Sequence, residues 1–172
     1  MAGDSQENRC AVSRASRRGE TILNGRLGIC VVSSIGGHLD EVMQLLPVIR
    51  EHDYYFVVNA EGNLPAQIEG KTMRIVHSER DWKLLVNLWE AARILKAKRP
   101  DVIISCGAGP AVPFAIVGKL MGVKTVFVES FAAVETPTLT GKILYRIADL
   151  FVYQWKSLAP FYPEGIYGGA IF

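Results

Sequence analysis

Leu27-Gly28-Ile29-Cys30-Val31-Val32-Ser33-Ser34-Ile35-Gly36-Gly37-His38 is the stretch that decides the fold. Residues 27–33 are a continuous apolar run, as expected of a parallel strand covered on both faces. Two glycines then turn the chain into a segment with Val42, Leu45, Leu46 and Ile49 at helical spacing. Asp40 and Glu41 fall in its first turn, facing the positive end of the helix dipole. A strand that turns on glycines and opens a helix leaves a ring of backbone N–H groups suited to an anion such as a diphosphate. The turn ends in His38, the side chain best suited to move a proton near neutral pH. Ser34, Gly36, Gly37 and His38 are thus candidate diphosphate-binding residues, and His38 is a candidate general base.

Outward from this turn, strands and helices alternate. Residues 54–58, 73–76, 101–105, 124–128 and 150–153 read as strands. Helical patterns cover 39–51, 81–98, a segment reaching Met121, 138–148 and, briefly, 155–161. Pro100 stops the second, Pro110 or Pro113 sits in the first turn of the third, and Gly122 ends it. Residues 59–70 read as loop and 166–172 as a final extended piece. The pattern implies an α/β fold, a single Rossmann-like domain with a parallel sheet flanked by helices. Ligands bind such sheets beyond the carboxyl ends of the strands. There 34–38, 106–110 and 129–136 converge as the expected rim of a site.

A chain of 172 residues, 49% hydrophobic, holds one core-bearing domain, expected over 27–172. Residues 1–26 are polar and arginine-rich and read as a disordered extension without the apolar stretch of a signal peptide. A net charge of +2 argues against a dedicated nucleic-acid binder. Cys10, Cys30 and Cys106 are odd in number and lack metal-ligand spacing, and His38, His52 and His77 are dispersed. No metal or cofactor is expected, and a reducing cytoplasmic setting fits. No run of about 20 apolar residues is present to cross a bilayer.

The glycine turn does not match the dinucleotide fingerprint: a third glycine is missing, and strand 54–58 runs into Asn59 rather than a carboxylate. Gly107 and Gly109 either let a helix approach the sheet or offer N–H groups to a ligand. Glu129, directly after the run 125–128, is expected to face the crevice, either as a second candidate base or as a cap for the next loop. Trp82, Leu85, Val86, Trp89 and Ala92 form one stripe that reads as core-facing. The alternative turns a tryptophan towards a membrane interface. Trp82, Lys83, Trp89 and Arg93 are its candidate contacts, in a region, 69–101, with eight basic and five acidic residues.

Further motifs follow in order: Val128-Glu129-Ser130, residues 138–144 (Thr-Leu-Thr-Gly-Lys-Ile-Leu), Ala148-Asp149, Gln154-Trp155, Tyr162-Pro163 and Gly168-Gly169. Together with residues 36–38 and 107–113, this ordered set closely resembles the PssD-like polysaccharide-biosynthesis family over residues 27–172. Its eukaryotic relative is the membrane-anchoring subunit of the enzyme adding the second N-acetylglucosamine to dolichol diphosphate. The resemblance implies the N-terminal, acceptor-side half of a split GT-B glycosyltransferase. It implies a separate, small donor-binding C-terminal half (a PssE-like subunit) as partner, a UDP-sugar as donor and a polyprenyl-diphosphate-linked sugar as acceptor.

Inverting transfer without metal is expected, with His38 or Glu129 as base and Gly107 and Gly109 shaping the acceptor crevice. The chain alone is expected to be inactive or nearly so. Gln154, Trp155, Tyr162, Gly168, Gly169 and Phe172 are the candidate partner-docking residues. MurG, a fused relative in fold, carries a similar glycine-rich turn, but with a further glycine where Ser33-Ser34 stands here. The eukaryotic subunit's N-terminal membrane helix has no counterpart in this sequence, so peripheral attachment to the cytoplasmic face of the membrane is expected. The rival reading is a non-catalytic, membrane-recruiting scaffold.

Overall fold

Seven short strands, each followed by a turn or helix, build one parallel sheet. The structure is a computed structural model and describes residues 25–59, 62–76 and 83–172. The reading of residues 1–26 as a disordered extension therefore lies, up to Asn24, outside the described residues. In chain order the elements are β1 (Gly28–Ser33), α1 (Gly37–Met43), α2 (Leu46–Ile49), β2 (Asp53–Asn59), α3 (Ala66–Glu69) and β3 (Thr72–Ile75). They continue with α4 (Lys83–Lys98), β4 (Val102–Ser105), α5 (Ala111–Met121), β5 (Lys124–Val128), α6 (Leu139–Leu144), β6 (Leu150–Tyr153), a short 3-10 turn (Lys156–Leu158) and β7 (Ile166–Tyr167).

The sheet order is β3-β2-β1-β4-β5-β6-β7, with every pairing parallel. Side chains alternate between its faces with period two. Cys30 and Val32 enter one apolar cluster with Ile103, Leu95 and Phe114, beneath α4 and α5. Ile29 and Val31 enter the opposite one with Val42, Ile49, Phe56 and Ile68, beneath α1 to α3. A third cluster around Phe127, Leu144, Phe151, Leu158 and Tyr162 closes the β5–β6 end. Fully burying each such side chain contributes about 1.5–3 kcal/mol against leaving it in water.

Several expectations need correction. The helix expected over 39–51 breaks after Met43, because Pro47 has no N–H to donate to the carbonyl four residues back. The loop expected over 59–70 contains α3. The helix expected over 138–148 spans only Leu139–Leu144. The stripe on α4 is turned relative to the expectation. Ala91, Ile94 and Leu95 are buried, whereas Leu85 and Trp89 are 69% and 62% exposed. Trp82 lies outside the described residues.

Candidate functional site

β1 pairs with β2 on one side and β4 on the other, so the connections leave in opposite directions at this point. In open α/β sheets such a switch point, between the loops at the carboxyl edge, is where a ligand crevice lies. The β1 turn lines one wall. Gly36 has φ +114°, which an L side chain rarely adopts, and it opens α1. Asn59, at the end of β2, braces the turn: its Oδ1 accepts from Ile35 N at 2.8 Å. Beyond it the amides of Gly37 and His38 stand in the first turn of a helix, where no intrahelical acceptor exists. Gly36 and Gly37 are exposed and Ser34 is half-buried, its carbonyl accepting from Ser33 Oγ at 3.1 Å.

The opposite wall is the β4 turn. Gly107 has φ +118°, and a Cβ placed there would lie 3.0 Å from both Cε1 and Nδ1 of His38. The imidazole thus rests against a backbone from which a side chain is missing, and residues 69 positions apart in sequence meet in one contact. Gly109 is exposed on the same rim.

Beneath the ring lies a carboxylate outside the expected site residues. Glu41 follows His38 by three residues, hence on the same helix face, and it is buried. Its Oε1 accepts from Ser130 Oγ at 3.0 Å and from Phe131 N at 2.9 Å. Its Oε2 stands 4.0 Å from His38 Nδ1. Both of those atoms are buried without a hydrogen-bond partner among the described residues. The His38 side chain is nevertheless 30% exposed, so the ring is wet on its outer side. Nearby, burial and the Glu41 charge push the Cys106 thiol well above its ordinary range, which keeps it protonated and inert. The i, i+3 spacing was the available signal for Glu41. The signal for Asn59 was a polar residue ending an apolar strand.

Glu129 departs from the expectation that it faces the crevice: it is fully buried. Its Oε1 accepts from Ser130 N at 3.0 Å and Thr138 Oγ1 at 2.7 Å, and the Tyr162 hydroxyl donates to Oε2. Burial first, and this hydrogen bond second, raise the Tyr162 hydroxyl beyond its ordinary range, so it stays a donor. Thr138 also caps α6, accepting from Gly141 N at 2.8 Å. Glu129 therefore ties the loop 130–138, the start of α6 and the C-terminal segment to the end of β5.

Among the expected partner-docking residues, Gln154 and Tyr162 are buried and cannot line a surface. Gln154 instead donates to Glu129 O at 2.9 Å and accepts from Ile171 N at 2.9 Å. Trp155 is half-buried and donates through Nε1 to Phe131 O at 2.7 Å. Phe131 packs on Trp155 and Phe172, with ring centroids 5.0 and 5.2 Å away. Phe172 and Gly168 are exposed and Gly169 is half-exposed, beside the exposed Ile166 and Tyr167 of β7. On α4, Arg93 lies over the exposed Trp89 ring at 5.1 Å. No described helix is long and apolar enough to cross a membrane.

The chain is a single all-parallel Rossmann-like sheet flanked by helices, with the fold of one half of the GT-B architecture. MurG of Acinetobacter baumannii superposes with a TM-score of 0.61 at 16% identity, over 74% of this chain and 41% of that one. A UDP-N-acetylglucosamine 2-epimerase of Rickettsia bellii gives a TM-score of 0.66 at 11% identity, over 85% and 45%. The chain thus spans less than half the length of these solved structures, and at such identities the likeness is one of fold. The family described as "Oligosaccharide biosynthesis protein Alg14 like" matches residues 73–171. The chain belongs to that family. A human protein named UDP-N-acetylglucosamine transferase subunit ALG14 is 28% identical over 84% of this chain and 83% of its own length. The Schizosaccharomyces pombe protein of that name is 43% identical over 42% and 37%.

Proposed function

We propose that this chain is the acceptor-side subunit of a split, inverting glycosyltransferase. It binds a polyprenyl-diphosphate-linked sugar at a membrane surface and works with a separate donor-binding subunit that brings the UDP-sugar. The observation that carries the reading is one turn at the switch point. It offers helix-opening amides to an anion and, one residue on, a partly exposed imidazole.

In this reading the acceptor diphosphate lies on residues 34–38, with Gly107 and Gly109 shaping the opposite wall. The acceptor hydroxyl oxygen attacks the anomeric carbon of the donor and gives its proton to His38. The bond from that carbon to the UDP oxygen breaks on the far face, and its electron pair leaves with UDP. His38 is preferred to Glu129 as base because Glu129 is sealed beneath Tyr162 and Thr138, where it holds the rim in shape.

Trp89 and Arg93 are the membrane contacts, with Leu85 added from the structure; α4 follows β3 and so begins at the edge of the sheet on which the crevice opens. Trp155, Gly168, Gly169 and Phe172 face the partner, a small PssE-like donor subunit. Setting is read as the cytoplasmic face of a membrane, in lipid-linked oligosaccharide or exopolysaccharide assembly. Relatives named for UDP-N-acetylglucosamine put that donor first among those to test.

Replacing His38 by alanine in the assembled pair tests the reading. Loss of a general base lowers turnover by about two to four decades, with complex formation unchanged by gel filtration. Full turnover by the variant pair would leave this chain the part of a recruiting scaffold.

A further inference from the structure

We infer that Glu41 is the positioning residue for His38. One carboxylate oxygen holds the imidazole as its Nδ1–H tautomer, so that the bare Nε2 meets the acceptor hydroxyl. The other oxygen locks the ring to the loop after β5. This deepens the reading of His38 as base and rests on it.

Three observations converge. First, His38 Nδ1 and Glu41 Oε2 are buried 4.0 Å apart, and neither has a hydrogen-bond partner among the described residues. Leaving two buried polar atoms unpaired is costly, and each is the other's remedy. Second, a bare Nδ1 lone pair pointed at a carboxylate is repelled, whereas an Nδ1–H pointed at it is attracted. The unpaired contact therefore selects one tautomer. Third, Glu41 is not free to swing: Oε1 is held by Ser130 Oγ and Phe131 N at 3.0 and 2.9 Å. Gly107, where an added Cβ would lie 3.0 Å from Nδ1 and Cε1, puts no side chain against this edge of the ring. Catalytic hydrogen bonds are often long in the unliganded protein and tighten when substrate binds. The same division of labour, a carboxylate orienting the histidine that moves the proton, operates in hydrolase triads.

The discriminating variant is Glu41→Gln. Its Oε1 still accepts from Ser130 and Phe131, so the rim keeps its anchor while the charge beside Nδ1 is lost. In the assembled pair kcat should fall about 10- to 1,000-fold, below the full loss of a wrong-tautomer triad, with KM changed less than about two-fold. Long-range 1H–15N spectra of the chain at about pH 8 should show His38 as the Nδ1–H tautomer in the wild type, and a mixture in Glu41→Gln.

Wild-type kcat in a folded Glu41→Gln pair overturns the inference, as does an Nε2–H tautomer in the wild-type chain. The wild-type spectrum needs no variant and decides the matter even if Glu41→Gln does not fold. If His38→Ala keeps full activity, the base reading falls, while the spectra still report whether Glu41 sets the ring.

Discussion

Two buried glutamates sit at the carboxyl edge of this sheet, and their surroundings give them different parts. Glu129 has donors on both oxygens, as a buried carboxylate requires, and is packed so closely that a Cβ on Gly141 would fall 1.7 Å from Oε2. Gly141→Ala should accordingly destabilise the fold by about 2–4 kcal/mol, read as a lower urea midpoint. Tyr162→Phe removes one donor and should cost about 1–3 kcal/mol. The Tyr162 hydroxyl and the Cys30 thiol, the latter pushed by burial to about 12, both hold their protons longer folded than unfolded. Above about pH 9 the unfolded chain releases these protons first and binds fewer than the native state, so stability falls as pH rises. It is fully present at neutral pH. Urea midpoints at pH 7.5 and about 10.5 should show this fall, and Tyr162→Phe should make it shallower. That Glu129 is sealed was not legible from its place at a strand end. The seal comes from Tyr162, 33 residues on, and from a helix start that only the folded chain brings near. Glu41 was in view but looked like a charge satisfied by the helix dipole, because nothing local says that Ser130 and Phe131 will reach it.

At the scale of elements, strands were the readable part. Central parallel strands read as near-continuous apolar runs, and β1, β4, β5 and β6 each fall within a residue of their expected bounds. Helices were less so. α4 carries apolar residues around most of its circumference, so periodicity alone could not say which stripe meets the sheet. The structure turns Leu95 inward and Leu85, Trp89 and Arg93, spaced four apart, outward. Leu95→Ala should therefore cost about 2–5 kcal/mol. Trp89→Ala should change stability by less than about 0.5 kcal/mol yet weaken co-sedimentation with anionic vesicles. Unaltered sedimentation would remove Trp89 from the membrane-facing surface.

Across the whole molecule, the convergence of the loops after β1, β4 and β5 on one crevice was legible from the alternation of strands and helices, since parallel sheets place all such loops on one edge. The contact of Gly107 with His38 and the bond from Glu41 to the β5 loop give that convergence its chemistry. The C-terminal segment leans on the same loop through Trp155 and Phe172, so the edge proposed for the donor subunit and the wall of the crevice share one element. The proposed function gives the acceptor to this chain and the donor to a second subunit, so transfer is expected to need both. Sugar transfer from UDP-N-acetylglucosamine and other UDP-sugars to a polyprenyl-diphosphate-linked sugar tests this most directly, with the chain alone, the small donor-binding subunit of the same organism alone, and the two together. The account predicts transfer from the pair and neither part singly. Full transfer by the donor subunit alone would contradict it.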